Sequence, residues 1–292
     1  MSRTLPPHSE LIKHPTGQTT RIIIDDFTPP WLPPEQKQTI LIQPGFGRHA
    51  DFWYHWIPTL ATHYRVIRRD LRGHGYSSVP DVGSSYTYNE ETILGEIVDL
   101  LDQLGIAKVH FLGESTGGMV GLAFAARYPE RVSSLILCAT PTHLPPEFIE
   151  LCSMGYGSWA EAVRNLGSRG WMEALSKEPG SIGQTDSEYT KWWLEQVGVN
   201  PSEGLALYAE WLSKLDVSVF QDEVSRNGIG KRTLILAPTS SRMTGIEDQR
   251  SYSGKVQGCK IVEIGGRGHE IFVDKAEACQ GALLDFLKKL EE

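Results

Sequence analysis

Short apolar runs alternate along this chain with stretches whose apolar residues recur at three- and four-residue intervals. After a polar, proline-bearing lead-in over residues 1–20, residues 21–26 carry Ile22, Ile23 and Ile24 and predict a first strand, broken by prolines at 29–34. Residues 39–43 (Ile40, Leu41, Ile42 at their centre) predict a buried strand, ended by Pro44-Gly45-Phe46-Gly47. Phe52, Trp53, Trp56, Ile57 and Leu60 suit a helix over 51–60, and residues 64–68 a second buried strand. Ile93, Ile97, Leu100, Leu101 and Leu104 predict a helix over 87–104, stopped at Gly105. Residues 108–112 form another apolar run. Gly113-Glu114-Ser115-Thr116-Gly117 follows, then helix formers from Met119 to Tyr128 and a strand at 134–139.

Strands alternating with helices at this spacing predict an α/β architecture, a doubly wound, mostly parallel sheet covered on both faces. The alternation breaks after Pro141. Tryptophans at 159, 171, 192, 193 and 211 then appear among helical patterns with no strand-like run. It resumes with strands at 232–237 and 259–264 and a last helix at 275–290. The expected organisation is a core of residues 1–141 and 223–292, interrupted by a helical cap of residues 142–222.

Bulk properties narrow the possibilities. With 292 residues, 40% of them hydrophobic and 22% charged, the chain is long enough for one large domain and reads as an ordinary soluble globule. A formal net charge of −8 argues against nucleic acid or an anionic membrane as partner. No apolar run approaches a membrane span, and the first residues lack the apolar core of a signal peptide, so a cytoplasmic location is expected. Cys138, Cys152, Cys259 and Cys279 show neither metal spacing nor a paired framework. Oligomeric state is not legible.

The candidate chemistry centres on Ser115. A strand, a glycine-flanked serine and a helix form the context of a G-x-S-x-G nucleophile elbow. Gly113 and Gly117 leave room where a Cβ would meet a neighbouring strand or helix, and the serine hydroxyl is lifted clear of the sheet. Four segments, residues 43–47, 70–77, 113–117 and Gly265-Gly266-Arg267-Gly268-His269, together resemble the α/β-hydrolases of the capped, cofactor-independent kind, over nearly the whole chain. The resemblance implies the α/β-hydrolase fold, with no metal or other cofactor. It implies Ser115 as nucleophile and His269 as general base and acid. It places the oxyanion donors at the backbone N–H groups of Phe46 and Thr116. The 70–77 loop is expected to be structural, tied by Asp70 and Arg72.

One position departs from that pattern. An aspartate is expected a few residues beyond the 233–237 strand, and Ser241 stands in its slot. In a serine protease, replacing the equivalent aspartate by its amide costs about 10⁴ in turnover. Three options stay open: a displaced carboxylate, a serine and water holding His269, or weak catalysis. Residues 140–142 offer no carboxylate, and Glu247 and Asp248 are expected to begin a surface helix. Glu114, as an elbow neighbour, is expected to point away from the substrate side. Gln43-Pro44 stands where the family often has His-Gly, and the histidine and repeated glycine of carbon–carbon-bond hydrolases are missing. A serine nucleophile argues against dehalogenase or epoxide-hydrolase chemistry.

Gly45, Trp159 and Trp192 are the candidate pocket residues. The middle-segment aromatics, Tyr156 and Tyr189 included, hint at an apolar cavity, although large rings commonly bury for packing alone. His49 and His143 are the other histidines with a chance of pocket contact. The expected function is hydrolysis of a small apolar carboxylic ester or lactone through a Ser115 acyl-enzyme. Amide or carbon–carbon cleavage on the same site is the rival within enzymes. A catalytically weak ligand-binding protein is the rival outside them.

Overall fold

The computed structural model describes residues 4–33, 37–81, 83–178, 188–266 and 268–292. Pro34 of the proline-rich break and Arg267 of the glycine-rich segment lie outside them.

Eight strands form one sheet: β1 (Ser9–Lys13), β2 (Thr19–Asp25), β3 (Thr39–Gln43), β4 (Arg65–Arg69), β5 (Val109–Glu114), β6 (Val132–Cys138), β7 (Thr233–Pro238) and β8 (Lys260–Ile264). Their order is β1-β2-β4-β3-β5-β6-β7-β8. Only the β1–β2 and β2–β4 pairings are antiparallel. From β4 to β8 every pairing is parallel, so the carboxyl ends of β3, β5, β6, β7 and β8 come out on one edge. In an open sheet of this kind that edge is where ligands bind. β3 and β5 are buried at every residue, as strands covered on both faces must be.

Two elements differ from the expectation. β1 lies inside the polar lead-in; Ile12 is its only buried residue, and pairing at the sheet edge needs no apolar run. The helix expected over 51–60 is instead a 3-10 segment, Ala50–Trp56, followed by the short α-helix Ile57–Leu60. Pro58 falls in the first turn of that helix, where its missing N–H breaks no bond.

Between β6 and β7 run the helices Pro146–Ser153, Trp159–Ser176, Glu188–Gly198, Ser202–Leu212 and Gln221–Arg226, with no strand among the described residues. Phe46, just beyond β3, packs against Trp159 at 4.5 Å and Trp171 at 5.4 Å between ring centroids, so these helices lie over the functional edge of the sheet. The helix Ile246–Lys255 carries Glu247 and Asp248 in its first turn, as expected. All four cysteines are free thiols. Among the described residues no helix is long and apolar enough to cross a membrane.

Candidate active site

The turn that carries Ser115 is strained. Its φ of 52° and ψ of −127° lie outside the regions that L-residues ordinarily occupy. The neighbourhood explains how such a turn is held. A Cβ on Gly113 would come within 2.5 Å of Gly118 Cα, and one on Gly117 within 2.3 Å of the Gln43 carbonyl oxygen. Strand, helix and the loop after β3 therefore pack backbone to backbone around the serine. The Ser115 N–H donates to the Cys138 carbonyl at 2.9 Å, so β6 pins the turn from the other side.

His269 follows β8, and its Nε2 lies 2.8 Å from Ser115 Oγ across 154 residues of sequence. The imidazole is fully buried, and burial, with Arg48 adding to it, pushes its pKa down to about 3. At neutral pH the ring is uncharged and can take a proton from the hydroxyl it faces. The other nitrogen, Nδ1, faces Ser241 Oγ at 3.3 Å. That oxygen already accepts the N–H groups of Met243 (3.1 Å) and Thr244 (3.0 Å). For Nε2 to take a proton the neutral ring must carry its own on Nδ1, and that N–H then faces an oxygen whose lone pairs already serve two backbone N–H groups.

The loop after β3 approaches so closely that a Cβ on Gly45 would meet Ser115 Cβ at 2.8 Å. Gly45 is thus a backbone neighbour of the serine rather than part of the cavity wall. Its N–H donates to Glu114 Oε2 at 2.8 Å. The Phe46 N–H donates to Thr116 Oγ1 at 2.9 Å, so in the free protein this donor is engaged by the side chain next to the serine.

A narrow cavity opens above Ser115 and His269. Phe46, Leu144, Phe148, Trp159, Trp171 and Trp193 give it an apolar wall. Trp192 is not in that wall. It packs outward against Phe52 and Tyr54, and its neighbour Trp193 takes the inner position, because successive residues of a helix face directions about 100° apart. His49 and His143 also lie outside the cavity lining; the His49 ring faces the Gln196 carbonyl, and the His143 backbone forms an isolated bridge with that of Asp216. Among the described residues no group of three or more His, Cys, Asp or Glu is placed to hold a metal ion.

A charge cluster that sequence reasoning missed adjoins the cavity, with Arg48 in the lining itself. Arg48 donates to Glu270 Oε1 at 2.5 Å and faces Glu114 Oε1 at 3.4 Å. Glu270 also accepts from Trp193 Nε1 at 2.9 Å and from the Tyr189 hydroxyl at 3.1 Å. All three charged groups are buried. Glu114 is not part of the cavity lining, and its Oε1 lies 3.8 Å from His269 Nε2. Burial raises its pKa, opposed by Arg48 and the Gly45 N–H and reinforced by Glu270. Only one signal in the sequence marked these residues: each charge sits one or two places from a candidate site residue, where burial was to be expected.

A serine and a histidine joined across the carboxyl edge of a mostly parallel sheet define a recognisable class. The family profile described as the α/β-hydrolase fold matches residues 38–276, and the chain belongs to that family of hydrolytic enzymes. Over 97% of this chain and 98% of the relative, it is 23% identical to 3-oxoadipate enol-lactonase 1 of Acinetobacter baylyi. A 2-hydroxy-6-oxononadienedioate/2-hydroxy-6-oxononatrienedioate hydrolase of Paraburkholderia phymatum is 36% identical, over 41% of this chain and 42% of its own. Among solved structures, the enol-lactonase of Burkholderia xenovorans superposes with a TM-score of 0.77 at 23% identity, covering 96% of this chain and 100% of that one.

Proposed function

We propose that this protein is a serine hydrolase acting on a small, apolar carboxylic ester or lactone. The observation that carries the reading is the 2.8 Å contact between Ser115 Oγ and His269 Nε2 at the foot of an apolar cavity. As the hydroxyl attacks the carbonyl carbon, its proton passes to Nε2. A tetrahedral oxyanion forms beside the Phe46 and Thr116 N–H groups, and the protonated His269 then returns the proton to the leaving oxygen. Water repeats the sequence on the acyl-enzyme. In this reading the helices between β6 and β7 serve as the cap, and the aromatic wall favours a substrate with little charge. The full-length similarity to an enol-lactonase supports a lactone or enol ester. The match to the carbon–carbon hydrolase spans less than half of either chain, and gives that chemistry less support.

A second reading, a ligand-binding protein on a hydrolase scaffold, is favoured by one observation: among the described residues no carboxylate meets His269 Nδ1. Labelling with a fluorophosphonate probe separates the two. Stoichiometric labelling that disappears in Ser115→Ala, together with turnover of aryl esters or lactones, is expected. An unlabelled native protein would overturn the hydrolase and leave the binder.

A further inference from the structure

The proposed reaction leaves one charge without a partner. When His269 takes the serine proton, both ring nitrogens become donors and the ring becomes a buried cation. Ser241 cannot balance it: its oxygen has both lone pairs engaged by backbone N–H groups and carries no charge. The near side of the ring differs. Glu114 Oε1 lies 3.8 Å from Nε2, is fully buried, and makes no hydrogen bond within the described structure; its one cationic neighbour there is Arg48, at 3.4 Å. A carboxylate oxygen left unbonded in the interior is costly unless something recovers that cost.

We propose that Glu114 supplies the counter-charge for the His269 imidazolium, in place of the acid missing at position 241. The inference rests on the serine-hydrolase reading and names the group that makes it workable. With both carboxylates ionised, Glu114, Glu270 and Arg48 sum to one negative charge. Arg48 bridges the two carboxylates, 2.5 Å from Glu270 Oε1 and 3.4 Å from Glu114 Oε1, and Tyr189 and Trp193 add their donors to Glu270 alone, so Glu114 is the less compensated of the pair. Transfer of the Ser115 proton to Nε2 puts one positive charge on the ring and the matching negative charge on the carbonyl oxygen, beside the Phe46 and Thr116 N–H groups. The buried cluster is then neutral, two cations against two carboxylates, at the moment the C–O bond forms. No proton leaves the Ser115–His269 pair until the leaving oxygen collects it. Glu114 touches neither substrate nor the serine's proton. It is a positioning residue acting through the imidazole.

Among the described residues, the charged or titratable groups facing Glu114 are Arg48 from the loop after β3, His269 and Glu270 beyond β8, Tyr189 from the helix Glu188–Gly198, and Cys138 at the end of β6. Their balance leaves its carboxyl above the ordinary carboxylate range, so the acid limb of reactivity is expected there too.

The experiment is the rate of fluorophosphonate labelling against pH for the native chain, Glu114→Gln, Ser241→Asp and the double variant. Glutamine keeps the shape and an acceptor for the Gly45 N–H while removing the charge. It is expected to slow labelling at least about 100-fold, a fraction of what loss of the triad acid costs elsewhere, and to move the acid limb. Ser241→Asp offers a carboxylate to Nδ1. It is expected to rescue Glu114→Gln by about 100-fold yet speed the native chain no more than about tenfold, since interacting sites are non-additive. Glu114→Gln labelling at the native rate with the native pH profile would overturn the proposal while leaving Ser115 as nucleophile. Should that variant not fold, a gain beyond about 100-fold from Ser241→Asp alone would overturn it equally, because no carboxylate would then be serving the ring. A native chain that never labels defeats the hydrolase reading itself.

Discussion

At position 116 a side-chain hydroxyl sits where the proposed chemistry needs a free N–H. Thr116 Oγ1 accepts the Phe46 N–H in the unliganded protein, and an oxyanion must displace or turn that hydroxyl before it can use the donor. Thr116→Val keeps the branched shape and removes the acceptor. It is expected to speed fluorophosphonate labelling by a few fold while lowering stability by about 1–3 kcal/mol, the usual cost of an unpaired buried donor. Slower labelling in a folded variant would instead mean that the hydroxyl itself donates to the oxyanion. Ser115 and His269 could be picked out because each is announced by its local pattern, a glycine-flanked serine after a strand and a histidine after a glycine-rich loop, and the structure brings the two side chains to 2.8 Å. Arg48, Glu114 and Glu270 were not. Their meaning lies in pairing across as many as 222 residues, and no periodicity records which buried charges meet.

The strand–turn–helix that presents Ser115 shows how one substitution changes sign with its element. Gly117→Ala would drive a Cβ to 2.3 Å from the Gln43 carbonyl and 2.4 Å from the Pro44 carbonyl, backbone atoms with no freedom to retreat. A loss of about 1–3 kcal/mol is expected from such overpacking, with labelling strongly reduced. Gly281, on the exposed side of the helix Ala276–Glu291, has nothing within 4 Å of an added Cβ. There the same change should gain about 0.5–1 kcal/mol through helix propensity. Paired thermal melts test both, and a destabilised Gly281→Ala would contradict the account. The core strands were legible for a related reason: Ile40, Leu41 and Ile42 are buried on both faces, so their apolar character is continuous. β1 was hidden because a strand at the rim satisfies its backbone by pairing alone and leaves most of its side chains to water.

Across the whole molecule, several histidines are buried in neutral form. Burial lowers the pKa of His74 to about 3, aided by His49, and that of His110 to about 4, with Arg232 adding; His269 is likewise held near 3. Once unfolded, each titrates near 6.5. As pH falls from 6.5 toward 4, the unfolded chain binds protons that the native one refuses, and stability is lost with them. The urea midpoint should therefore decline steadily over that interval; a flat profile would mean that these rings are solvated or charged in the native state. The overall architecture was accessible because alternating runs encode a parallel sheet whatever the side chains at its edge. What the enclosing helices do there was beyond pattern. Tyr189 and Trp193, on the helix Glu188–Gly198, both end on Glu270, the residue beside His269. Were that helix to swing outward, a carboxylate would be stripped of two donors next to the imidazole. Any shift of that helix would therefore be felt at the imidazole through Glu270.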